Sequence, residues 1–187
     1  MTPVIWSIAG TDSGGGAGLA ADQRAADAFG VHLCPVVSAV TAQSTTAVTQ
    51  VQAVAPELLE AQLEALAADL PPRVIKTGLL GSAANAHVVA RWVDRLRERG
   101  PVQLVIDPVL RASTGAAFAS DELLQIYRDE LLPRASVITP NQREAAALLG
   151  ADAANNVPGL AGALQRLGAQ AVVVTGGDAG TPGLSLD

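Results

Sequence analysis

The sequence predicts an α/β fold on a mostly parallel central sheet, with helices flanking both faces. Three observations predict it. Short apolar runs alternate with helical patterns along the chain, the rhythm of βαβ units. Apolar residues make up 49% of the composition and the mean hydropathy is +0.31, as expected when strands are buried on both faces. A cluster of three glycines, Gly14, Gly15 and Gly16, lies between the first apolar run and the first helix, where such sheets turn at a strand's carboxyl end.

The elements follow in order. Residues 4–9 form a strand and 17–29 an alanine-rich helix; 34–42 form the second strand. Segment 44–54 breaks the rhythm, setting Val48, Val51 and Val54 loosely among polar residues, and is expected as a hairpin or flap at the sheet edge. The helix over 56–69 opens on Pro56, suited to a first helical position, and places Leu58, Leu59, Leu63, Leu66 and Leu70 on one face. Strand 74–77 and helix 83–99 come next, the helix stopped by Gly100-Pro101. Strand 104–107 leads to a helix over 121–132 that Ser120 can cap. Strand 136–139, helix 141–149, a surface loop over 150–158, helix 158–167 and strand 171–175 complete the alternation.

A length of 187 residues suits one domain, spanning 1–187. Net charge is −6 and aromatics are 3%, without a basic stripe, which argues against nucleic-acid binding. No apolar run reaches the roughly 18–20 residues of a membrane span. The first residues lack a basic leader, and Cys34, the single cysteine, leaves no internal disulfide, so a cytoplasmic protein is expected.

Polar residues gather where the strands end. The first strand ends in Gly10-Thr11-Asp12, the second in Thr41-Ala42-Gln43 and the third in Lys76-Thr77-Gly78. The fourth ends in Asp107-Pro108, the fifth in Thr139-Pro140-Asn141 and the last in Thr175-Gly176-Gly177-Asp178. Carboxylates, a lysine, amides and glycines on one edge of a parallel sheet favour a phosphate-handling site. The glycine cluster reads as a small-anion or small-substrate loop or as a plain tight turn. It is neither a Walker A loop, having no Lys-Ser/Thr, nor a GxGxxG fingerprint, since Leu19 stands where the third glycine would be.

Each candidate has a structural and a functional reading. Asn141 and Glu144 fit a capping box at a helix start; the same carboxylate and amide suit a metal and phosphates. Asp107 is a turn residue, or a strand-end carboxylate paired with a metal. Lys76 pairs with a neighbouring carboxylate or faces phosphate, Asp22 is solvated on its helix or lines a site, and Gln43 satisfies backbone groups or reads a substrate. His32 and His87 lack metal-ligand spacing, and Cys34 reads as a core thiol.

Six ordered stretches together resemble the hydroxymethylpyrimidine/phosphomethylpyrimidine kinases of thiamine biosynthesis, within the ribokinase-like superfamily. They are IAGTDSGGGAGLAADQRA at 8–25, VVSAVTAQSTTAV at 36–48, VIKTGLLG at 74–81, VIDPVLRASTG at 105–115, VITPNQREAAALLG at 137–150 and VVVTGG at 172–177. The resemblance implies a ribokinase-like fold and transfer of phosphate from Mg-ATP to hydroxymethylpyrimidine and then to its monophosphate. By position, Gly10, Asp22, Gln43, Leu79 and Val109 would line the pyrimidine pocket. Asp107 and Glu144 would organise Mg²⁺. Lys76, Asn141, Thr175 and Gly177 would border the phosphates and nucleotide. Leu79 stands where the family often carries Met. A homodimer is implied, with segment 44–54 as a contact. Pyridoxal kinases share the DPV and TPN elements and are the alternative; SGGGAGLAAD and TAQ tilt toward the pyrimidine enzyme. The family also carries a Gly-Thr-Gly-Cys or Gly-Thr-Gly-Asp element that forms the anion hole for the transferring phosphoryl group. Residues 178–187 hold nothing like it, so no catalytic residue of that kind is visible and the chain is expected to stop short of the family's C-terminal part. A non-catalytic pyrimidine-binding homologue is the corresponding alternative.

Overall fold

The computed structural model describes residues 2–110, 119–150 and 157–176. Among the described residues, seven strands form one sheet in the order β3-β2-β1-β4-β5-β6-β7. β1 (Val4–Gly10) sits between β2 (His32–Gln43) and β4 (Val74–Thr77), parallel to both. β5 (Gln103–Ile106), β6 (Val137–Ile138) and β7 (Ala171–Val172) continue the parallel order. β3 (Val48–Ala53) pairs antiparallel with β2 at the edge, with Thr41 opposite Val51, which is the hairpin expected of segment 44–54. The last strand is shorter than the 171–175 expected; beyond it Thr175 forms an isolated parallel bridge with Asn141.

The two sheet faces are covered unequally. On one face Trp6, Ile8, Ile75, Leu104, Ile106 and Ile138 are fully buried. They share a core with Leu59 and Leu63 of α2 (Pro56–Asp69), Val89 and Val93 of α3 (Ala83–Arg97), and Tyr127 and Leu131. α5 (Gln142–Leu149) and α6 (Val157–Arg166) add Leu148 and Leu164 to the same core. Trp6 can be fully buried because its indole N–H donates to the Leu70 carbonyl at 2.8 Å, which also ties down the end of α2. On the other face α1 (Gly18–Phe29) lies against β1 and β2 and buries Leu19 and Ala26. Val105 and Val137 remain partly accessible there.

Two expectations need correction. Leu58 is not on the buried face of α2: it is 55% exposed while its neighbour Leu59 is fully buried. Adjacent helical residues point about 100° apart, so one stripe cannot hold both at its centre. The helix expected over 121–132 is α-helical only over Asp121–Ile126, designated α4; it then widens to a π turn over Tyr127–Leu131 and tightens to a 3₁₀ turn over Leu132–Arg134. Pro133 has no N–H to continue an α-helical ladder, and Leu132 instead donates to the Tyr127 carbonyl, five residues back.

Asn85, on the buried face of α3, joins three segments. Its Nδ2 donates to the carbonyls of Ser38 (3.2 Å), Leu80 (3.1 Å) and Val54 (3.3 Å). β2, the root of the hairpin and the loop after β4 are thereby fixed to one another.

Candidate functional site

The chain leaves β1 toward β2 on one side, and the next parallel strand, β4, lies on the other. Strand order reverses here, and the carboxyl ends of β1 and β4 frame the crevice where open α/β sheets bind ligands. Gly10 ends β1. A Cβ on it would come within 3.1 Å of Leu79 Cδ2 and 3.5 Å of the Ala39 carbonyl oxygen, so only glycine lets these three chain segments meet without displacement. Gly18, at φ +55, opens α1 against the Gly10 carbonyl, a position and a conformation that both exclude a side chain.

The loop between them is closed by its own anion. Asp12 Oδ1 accepts from Gly14 N–H at 2.7 Å, and Oδ2 accepts from the N–H groups of Gly16 and Ala17, both at 2.8 Å. Desolvation pushes the Asp12 carboxyl up, but these backbone donors and the Gln43 side-chain amide outweigh it, and its pKa lies below the ordinary value. The tight-turn reading of the glycine cluster is realised: three of its backbone N–H groups are bonded to the Asp12 carboxylate. Ser13 then ties the loop to the end of β2, donating to the Gln43 carbonyl at 2.7 Å and accepting from the Gln43 N–H at 2.8 Å.

Deeper in the crevice, Lys76 Nζ lies 3.0 Å from Asp22 Oδ2 and 3.6 Å from Asp107 Oδ2. Ser7, buried in β1, donates to Asp22 Oδ2 at 2.6 Å. The carboxylate partner considered for Lys76 is therefore present, and there are two of them. Asp22, expected at the pyrimidine pocket, is held by Ser7 and Lys76 at the crevice floor. Burial pushes the Asp107 carboxyl above its ordinary value; Lys76 pulls it down and Asp22 pushes it up, leaving a net rise. Lys76 is one cation shared between two carboxylates.

Asn141 and Glu144 form the capping box. Asn141 Oδ1 accepts from Glu144 N–H at 2.9 Å and Glu144 Oε2 accepts from Asn141 N–H at 3.0 Å. The structural reading of this pair is realised, and it points Glu144 toward the loop after β5, where Oε1 accepts from Leu110 N–H at 3.4 Å. Asp107 and Glu144 both act on the buried Tyr127 hydroxyl below them. Desolvation foremost, then these two negative charges, push its pKa far up and keep it a neutral phenol. Thr175 lies beside Asn141, its N–H donating to the Pro140 carbonyl at 2.9 Å. Leu79 is buried against Gly10, and Val109 is half-buried just past Asp107. Gly177 lies outside the described residues.

Among the described residues no group of three or more His, Cys, Asp or Glu could hold a metal by itself. Asp107 and Glu144 still suit Mg²⁺, which takes one or two carboxylates and fills its remaining positions with water and substrate phosphates. A desolvated carboxylate with a raised pKa, such as Asp107, gains from a nearby divalent cation. A cavity of about 260 Å³ lies under the crevice between α1 and the sheet. Asp22 and Lys76 form its polar end and Ile5, Phe29 and Leu33 its apolar walls. It includes Asp22 but not Gly10, Gln43, Leu79 or Val109, so it meets the pyrimidine pocket the sequence implied only at Asp22.

The sequence profile of phosphomethylpyrimidine kinase matches residues 12–185. The chain belongs to the phosphomethylpyrimidine kinase family. It is 42% identical over 179 residues to a hydroxymethylpyrimidine/phosphomethylpyrimidine kinase of Synechococcus elongatus, covering 95% of this chain and 66% of the relative. It is 38% identical to a chloroplastic thiamine biosynthetic bifunctional enzyme of Arabidopsis thaliana, covering 94% of this chain and 34% of that protein. Its structure superposes on a phosphomethylpyrimidine kinase of Clostridium difficile with a TM-score of 0.85 at 30% identity, covering 98% and 79% of the two chains. An ADP complex of a Bacillus subtilis pyridoxal kinase gives 0.83 at 30% identity, covering 96% and 67%. The chain thus spans about two thirds of the length of the curated pyrimidine kinases it matches. The fold is that of the ribokinase-like vitamin kinases.

Sequence signals place Asp12 at a strand end without assigning its loop-closing role, and assign no role to Ser13, Ser7, Asn85 and Tyr127. Only Asp12 left a local signal: an aspartate followed by a run of glycines is an Asx-turn pattern in which the side chain can close the loop.

Proposed function

We propose that residues 1–187 form a single ATP-dependent kinase domain acting on hydroxymethylpyrimidine and its monophosphate in thiamine biosynthesis. The observation that carries this reading is convergence. Gly10, Gln43, Leu79, Asp107, Asn141 and Thr175 come from six different strand ends, and all lie along the carboxyl edge of the parallel sheet of a phosphomethylpyrimidine kinase family member.

In this reading Gly10, Leu79 and Val109 form the apolar floor and wall of a flat-ring pocket, Gln43 hydrogen-bonds the ring edge, and Asp22 bounds it below. Lys76 faces the phosphates, and Asn141, Thr175 and Gly177 border the nucleotide. Asp107 and Glu144 would hold Mg²⁺, whose chemistry is to neutralise charge on the transferring phosphoryl group. Phosphoryl transfer rests on such positioning and charge neutralisation. The neutral Tyr127 phenol beneath the two carboxylates adds no charge of its own to their site. We assign the edge hairpin of β2 and β3 to a homodimer contact, and the cytoplasm as location. No helix of the described residues is long and apolar enough to cross a membrane.

Two measurements test this. The first is ADP release from Mg-ATP with hydroxymethylpyrimidine as acceptor; pyrimidine-dependent release supports the kinase, and release that ignores the pyrimidine counts against it. The second is Gln43→Ala, expected to weaken pyrimidine binding about a hundredfold while leaving nucleotide binding unchanged. Equal losses for both ligands would remove Gln43 from the pocket. Pyridoxal phosphorylation is a second reading, favoured by the superposition on the pyridoxal kinase of Bacillus subtilis.

A further inference from the structure

Lys76 stands between two carboxylates and holds them unequally. Its Nζ donates to both oxygens of Asp22, at 3.2 and 3.0 Å. Asp107 Oδ2 lies 3.6 Å away, within ion-pair range but past the length of a hydrogen bond. Asp22 is fixed in turn by Ser7, a fully buried side chain of β1 that donates to its Oδ2 at 2.6 Å. The exposures differ in the same sense: the side chains of Lys76 and Asp22 are 23% and 21% exposed, that of Asp107 42%. The ammonium also passes Gly78, where a Cβ would stand 3.2 Å from Nζ, so glycine leaves it room to swing. Asp107 therefore has an open side and a loosely held counter-ion, whereas Asp22 has a tight one.

We propose that Lys76 is the resident cation of Asp107 in the metal-free site and withdraws onto Asp22 when a divalent cation enters, so that Asp22 sets how readily the metal site is filled. This inference rests on the assignment of Asp107 to Mg²⁺ and deepens it. An ammonium and a divalent cation repel each other at one carboxylate, so each weakens the other's hold there. The cost is lowest when the ammonium is already bonded to a second carboxylate. Lys76 keeps its two hydrogen bonds to Asp22 and gives up only the longer contact to Asp107. Lys76 then has opposite effects on fold and metal: it joins β4 to α1, and it competes for Asp107. Asp22 acts on the metal without touching it.

The test is titration of the full 187-residue chain with Mn²⁺ alone, followed by electron paramagnetic resonance of the free ion. Lys76→Met should bind Mn²⁺ about fivefold more tightly than the wild type, the size of a half-exposed charge pair. Asp22→Asn should bind it about threefold more weakly, because Lys76 then rests on Asp107. Both signs would also follow from summed charge, so the double variant decides. With Lys76 already removed, Asp22→Asn should change Mn²⁺ affinity by less than about 1.5-fold. Additive effects in the double variant overturn the proposal, as does weaker binding by Lys76→Met. Should Lys76→Met fail to fold, Lys76→Gln keeps a donor toward Asp22 without the charge and carries the same expectations. Asp107→Asn separates the two readings. If it loses Mn²⁺ binding while the Lys76 and Asp22 variants leave it unchanged, the proposal falls and the metal assignment stands. If it binds Mn²⁺ like the wild type, the metal assignment falls and the proposal with it. Mn²⁺ binding absent from every chain at millimolar concentration removes both.

Discussion

The loops that follow β1 and β5 each place an aspartate at the same edge of the sheet, and the two carboxylates live in opposite conditions. Asp12 accepts three backbone hydrogen bonds and its pKa lies below the ordinary value. Asp107 is partly desolvated, shares one lysine with Asp22, and its pKa lies above it. A carboxylate whose acceptor sites are filled by its own loop is part of the scaffold. One whose charge is poorly compensated is where an incoming cation gains most. On the proposed reading, the contrast divides the site into a recognition side around Gln43 and a cation-binding side around Asp107 and Glu144.

Removing the shared cation is the strongest way to break this division. Lys76→Met leaves Asp22 and Asp107 facing each other in the crevice and should cost about 2 kcal/mol in urea unfolding, with the loss shrinking as the carboxylates are protonated. An effect under a few tenths would mean that the two carboxylates do not depend on Lys76. Asp12→Ala comes next. It strips the acceptor from three N–H groups in a half-open loop and should cost about 1–2 kcal/mol, similar to losing a helix cap. Asp107→Asn is the smallest of the three and has the opposite sign. It relieves a carboxylate that is only partly desolvated, its side chain 42% exposed, and should raise the melting temperature by at most about 1 °C at neutral pH, while weakening Mg²⁺-dependent nucleotide binding.

The same contrast fixes two opposite pH responses. The lowered folded pKa of Asp12 means that its contribution is complete above the unfolded carboxylate value and is lost as pH falls through the folded value. The raised folded pKa of Asp107 means that its protonated form is favoured by folding, so its contribution declines as pH rises from the unfolded value through the folded one. Unfolding of the wild-type chain and the Asp12→Ala and Asp107→Asn variants across acidic pH separates the two. Equal pH profiles for all three chains would erase the distinction.

Much of the scaffold was legible in the sequence because its signals are local. β4 and α2 fall at the expected residues: Pro56 opens the helix, and Pro71-Pro72 separates it from the strand. The capping box of Asn141 and Glu144 was readable for the same reason. What escaped depends on partners far along the chain. Ser13 meets Gln43 thirty residues away, and Asn85 reaches three carbonyls of other segments. The π turn at Tyr127–Leu131 was hidden because a helical pattern does not reveal which carbonyl each N–H will choose. The glycine cluster left two readings open. The same backbone N–H groups suit a phosphate or an internal carboxylate, and only the position of Asp12 decides between them.

The measurement that tests the central claim most directly is calorimetric titration of the 187-residue chain with hydroxymethylpyrimidine, repeated in competition with pyridoxal and on Gln43→Ala. The account predicts saturable pyrimidine binding that pyridoxal displaces poorly and that the variant loses. Pyridoxal binding more tightly than the pyrimidine, or pyrimidine binding that survives in Gln43→Ala, would contradict it.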